Sequence, residues 1–77
     1  MTSTDATYTR MTKLPTTTLQ MIVREYPYLL ANPNEISRER RTRLGELGAI
    51  REIREDLGVA RRVLVERATE AFDEFSR

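Results

Sequence analysis

The side chains able to do chemistry in this chain are almost entirely charged. Among its 77 residues there is no histidine and no cysteine. That removes imidazole acid–base catalysis, thiolate nucleophiles and His- or Cys-based metal sites. Arginine supplies all but one of the 13 basic residues, Lys13 being the exception. Arg38, Arg40, Arg41 and Arg43 crowd into six positions, and Arg61 and Arg62 form a second pair. A guanidinium offers a planar fork of N–H donors that fits phosphate or carboxylate oxygens, so such clusters point to binding an anionic surface. A genome rich in G and C would produce the same preference for arginine. The carboxylates fall on the solvent faces of predicted helices, which leaves an enzyme as the weakest class and implies no metal or cofactor.

The charge is distributed unevenly although the net value is only +1. Residues 1–37 sum to zero, 38–62 carry a local +3, and 63–77 carry −2. A chain of this length forms one domain at most and buries only about 60–65% of its unfolded surface. It has no disulfide to reinforce a thin core. Self-association, as a homodimer, or an obligate protein partner is expected, because Leu44, Leu47, Val63 and Val65 lie outside any single apolar stripe. No run of 18 apolar residues and no signal-peptide layout occur, so a soluble, cytoplasmic protein with no membrane partner is expected.

The elements that must position these residues read as helices. Residues 1–13 form a polar, Thr-rich arm whose alternation around Tyr8, Arg10 and Thr12 suits an extended, flexible segment. Residues 14–77 read as a single helical domain. Leu19, Ile22, Val23 and Tyr26 make an i, i+3, i+4, i+7 face, and Pro27 ends or kinks that helix. Asn32-Pro33-Asn34-Glu35 has the order of a capping box and predicts a helix from Pro33. Gly45 and Gly48 predict a bend within it. Leu57-Gly58-Val59 predicts a Schellman ending, with Gly58 at positive φ, before a last helix near Ala60. The expected helices are 16–30, 33–57 and 60–75. The expected core pairs Ile50, Ile53 and Leu57 with Leu64, Ala68 and Phe72, on a stripe that also takes in Phe75.

The segment Ile53-Arg54-Glu55-Asp56-Leu57-Gly58-Val59-Ala60-Arg61-Arg62-Val63-Leu64 resembles the core of bacterial helix-turn-helix regulators, where Leu-Gly-Val closes one helix and a small residue opens the recognition helix. The family's usual small residue after the Ile is here Arg54. Gly58-Val59-Ala60-Arg61 with Leu64, Val65, Ala68 and Phe72 is also similar to the second helix of ribbon-helix-helix repressors. Spacing, caps and composition together predict a small all-α domain of three to four helices with an extended N-terminal arm, and the first resemblance adds a helix-turn-helix-like hairpin. The two resemblances imply a DNA-binding transcriptional regulator in which Arg61 and Arg62 meet duplex DNA at a helix start. Arg38, Arg40, Arg41 and Arg43 would then add salt-dependent backbone contacts. The alternative is a helical protein-interaction module (an adaptor, an antitoxin-like partner or a phage-type inhibitor) that docks through Tyr26, Tyr28 and Leu29.

Overall fold

A computed structural model describes residues 3–75 of the chain. Three helices account for nearly all of them: α1 (Ser3–Thr12), α2 (Thr16–Ala31) and α3 (Arg38–Phe75), with a 3₁₀ turn at Pro33–Glu35 between the last two. Among the described residues there is no strand. α1 and α2 both pack on α3, which is therefore the spine of the fold.

The N-terminal segment is a helix where an extended arm was expected; Met1 and Thr2 lie outside the described residues. Its Thr content disfavours helix locally, but tertiary contact overrides that propensity. Tyr8 and Met11, one turn apart, face α3, and Met11 is fully buried against Leu19 and Ile22 of α2 and Val59, Ala60 and Val63 of α3. Asp5 in the first turn and Arg10 in the last also suit the helix dipole.

α2 begins after Pro15, whose carbonyl accepts the first helical N–H bonds, and it passes through Pro27 without ending there. Asn32 closes it: the backbone N–H and the side-chain Nδ2 of Asn32 both donate to the Tyr28 carbonyl, at 2.8 and 3.0 Å. Asn32 also precedes the 3₁₀ turn, its carbonyl accepting the Glu35 N–H at 2.9 Å with Pro33 in the first position as expected, but its side chain caps the end of α2 and not that turn. Ile36 sits in extended backbone with its side chain buried beside Ala49 and Ile53, and that anchor breaks the helix expected from Pro33. Ser37 then caps α3 by accepting the Arg40 N–H on Oγ at 3.3 Å.

Within α3 the expected bend is present at Gly45, where φ is +76° and ψ 168°. The expected turn at Gly58 is not. Gly45 alone has positive φ among the described residues, and Gly58 is helical. The reason lies in the buried face: Ala49, Ile53, Leu57, Ala60 and Val63 continue at steps of three and four straight across Gly58. Burying that unbroken stripe against α1 and α2 outweighs the roughly 1 kcal/mol that a helical glycine costs. The core consequently differs from the one expected. Ile53 and Leu57 are buried and Ile50 and Leu64 are partly so, but Ala68 and Phe72 face outward, and Val63 takes their place inside. The side chain of Phe75 lies outside what the structure describes. No helix among the described residues is long and apolar enough to cross a membrane.

Candidate interaction face

The charged residues divide into a set that holds α1 to α3 and a set that faces outward. Asp56 lies on the buried stripe, one turn after Ile53, with its side chain 2% exposed. Arg10 of α1 reaches it at 2.8 Å. Burial pushes the Asp56 carboxyl above its ordinary value of 3.8, and the nearby Arg10 guanidinium opposes that shift. Further along, the Tyr8 hydroxyl donates to Glu66 Oε2, and Arg62 lies over the Tyr8 ring at 4.9 Å while pairing with Glu66 at 3.1 Å. The Tyr8 hydrogen bond holds Glu66 below its usual range, and Glu66 in turn raises the Tyr8 phenol. Arg67 spans the turn between α1 and α2, donating to the carbonyls of Thr12 and Leu14 and to Thr16 Oγ1. Arg10, Tyr8 and Arg67 were not anticipated as a group. The available signal was that Asp56 and Arg67 fall on the same helical face as Ile53, Ala60 and Val63, where a polar residue needs a partner.

The arginines anticipated for nucleic-acid contact do not form one patch. Arg40 and Arg43 both pair with Glu52, at 3.3 and 3.4 Å, and Arg40 also stacks on Tyr26. With Arg10 they line an open cleft of about 550 Å³. Arg41 is half-buried, its Nε without a hydrogen-bond partner, in a groove shared with Ile36, Leu47 and Ile50. Arg38 is exposed in the first turn of α3. Arg61 and Arg62 fall in mid-helix, so their N–H groups are engaged within α3 and do not form a free helix start. Of the residues expected at a protein-docking patch, Tyr26 and Leu29 are half-buried against the core and Tyr28 is 58% exposed.

Of the four positions expected to drive self-association, Leu47 and Val65 lie on the face of α3 turned away from α1 and α2, whereas Leu44 is half-buried and Val63 is in the core; the rest of that face was not anticipated. Leu47, Arg51, Arg54, Gly58, Arg61, Val65, Ala68 and Phe72 are all exposed. At 3.6 residues per turn they fall within an arc of about 100°, and at 1.5 Å per residue they run for about 38 Å. The spacing alone is what any outward helix face shows; the composition is what distinguishes it. Three arginines and a glycine occupy the centre, and large apolar side chains stand at both ends: Leu47 at 79% exposed, and Val65 and Phe72 at 65% and 69%. None of the acidic residues between Glu46 and Glu74 falls in this arc. Arg51, Arg54 and Arg61 make no ion pair among the described residues.

No protein-family model, curated protein or solved structure matches the chain.

Proposed function

We propose that this protein is a non-enzymatic helical interaction module that works by docking another protein on the outer face of α3. The observation that carries this reading is the exposure of Leu47, Val65 and Phe72 on one face that no element of the fold covers. Val65 and Phe72, two turns apart, form one exposed apolar pair, and Leu47, about 27 Å away along α3, is a second point of contact. The acids nearest the core already have partners within the fold: Asp56 pairs with Arg10 of α1, Glu66 with Tyr8 of α1 and with Arg62, and Glu52 with Arg40 and Arg43 of its own helix. Tyr28, beside Arg24 and Leu29, offers a smaller second contact on α2.

A second reading, a DNA-binding transcriptional regulator, is supported by the acid-free arginine band. In that reading Arg51 and Arg54 join Arg61, and Arg38 adds a backbone contact from the first turn of α3. It loses the support of a recognition helix starting at Ala60, because α3 is continuous there.

Photo-crosslinking in the native host tests the first reading. A crosslinkable residue at Val65 is expected to trap one discrete protein, and changing Leu47 and Phe72 to Ser is expected to abolish the adduct. Adducts with nucleic acid alone, or an adduct that survives those changes, would contradict it.

A further inference from the structure

We infer that the outer face of α3 receives an amphipathic helix whose facing side is acidic at its centre and apolar at its two ends. This rests on the reading of the protein as an interaction module and specifies the partner.

The face itself sets the partner's chemistry. Its centre presents Arg51, Arg54 and Arg61 without compensating carboxylates, so a matching surface must supply acids there. Its ends present Leu47 on one side and Val65 and Phe72 on the other, which need apolar cover. Gly58, at the middle, has no atom within 4 Å of where a Cβ would stand, so another backbone can approach α3 closely at that point.

The edges of the face argue against the other occupants. Glu55, Glu66 and Asp73 line one long edge, and Oε1 of Glu55 is buried without a hydrogen-bond partner. A single helix, about 10 Å across, fits beside that edge. A DNA duplex or an anionic bilayer is wider than the arginine band and presses phosphates against the same carboxylates. A second copy of this chain brings another Arg51, Arg54 and Arg61 onto the first set, and like charges in a helical seam oppose pairing.

The test uses the full chain and a fluorescent synthetic helix of about 28 residues, long enough to span the face. The probe carries Leu opposite the apolar ends and Glu opposite the three arginines; a control peptide carries Lys in place of Glu. Wild-type protein is expected to bind the Glu peptide at least about ten-fold tighter than the Lys peptide at physiological salt. The double variant Arg54→Glu, Arg61→Glu is expected to reverse that preference while keeping the wild-type far-UV circular dichroism, because both side chains are exposed. Equal or absent binding of the two peptides, or displacement of the Glu peptide by duplex DNA or by phosphatidylglycerol vesicles, would overturn the inference. Failure here with the Val65 protein adduct intact removes only the acidic-helix partner. Failure of both removes the interaction-module reading as well.

Discussion

Replacing Arg10 by Ala separates the charge of Asp56 from its partner and has a distinctive pH signature. The Asp56 side chain is 2% exposed, whereas that of Arg10 is 56% exposed. Breaking a fully buried pair from one side costs about 3–5 kcal/mol, because the remaining charge stays desolvated. Here Arg10 is half in water and Arg40 adds weaker attraction, so about 2–4 kcal/mol is expected at neutral pH. Total stability for a chain of this size is about 4–11 kcal/mol, so that loss is severe. The sign with pH follows from burial. The folded-state pKa of Asp56 is raised, so its contribution to stability is fully present below 3.8 and is lost as pH rises through the raised value. Without Arg10 the pKa rises further, and the neutral acid needs no cation. The deficit of Arg10→Ala against wild type is therefore expected to shrink as pH falls toward 3.8. Glu66 acts oppositely: its lowered pKa gives stability that is present above 4.5 and lost as pH falls through the lowered value. The readout is accordingly the difference between the two proteins at each pH, from urea titrations followed by far-UV circular dichroism. Asp56→Asn, which keeps an acceptor for Arg10, is expected within about 1 kcal/mol of wild type at neutral pH. A deficit for Arg10→Ala that stays constant or grows on acidification would refute the reasoning.

Arg67→Ala removes donors from the Thr12 and Leu14 carbonyls and from Thr16; a loss of about 1–3 kcal/mol is expected, with faster hydrogen exchange in α1. Ile53→Ala is expected to cost about 2–5 kcal/mol, whereas Phe72→Ala is expected within about 0.5 kcal/mol of wild type in the same denaturant titration. A comparable loss at both positions would place Phe72 in the core. Gly45→Ala forces a Cβ into positive φ and is expected to lower stability by about 1–2 kcal/mol, read from the urea midpoint.

The helical class, the span of α2 and the bend near Gly45 could be read from apolar spacing and glycine placement, because these are local properties. The features decided by tertiary contact could not. Asn32 carries a good capping pattern, but Ile36 is drawn into the cluster of Ala49 and Ile53, so the cap passes to Ser37. α1 is held helical by Met11, Tyr8 and Arg10 meeting α3, contacts that its Thr-rich composition does not announce. Gly58 fits a Schellman ending locally; the buried stripe running from Ile53 through Leu57 and Ala60 to Val63 shows that it is not one. The outward arginines followed from the same misplacement. With a turn at Gly58, Arg61 and Arg62 start a helix and Arg51 and Arg54 belong to another. With α3 continuous, Arg51, Arg54 and Arg61 share one face and Arg62 turns to Tyr8.

That continuity is what the interaction face depends on, and Gly58→Ala measures it most directly. In an uninterrupted helix with open space at the Cβ position, alanine is expected to raise stability by up to about 1 kcal/mol, or roughly 4–8 °C in a thermal melt of a domain this size. A melting temperature lowered by a similar amount would mean that Gly58 holds positive φ in a turn, and the continuous outer face of α3 would be contradicted.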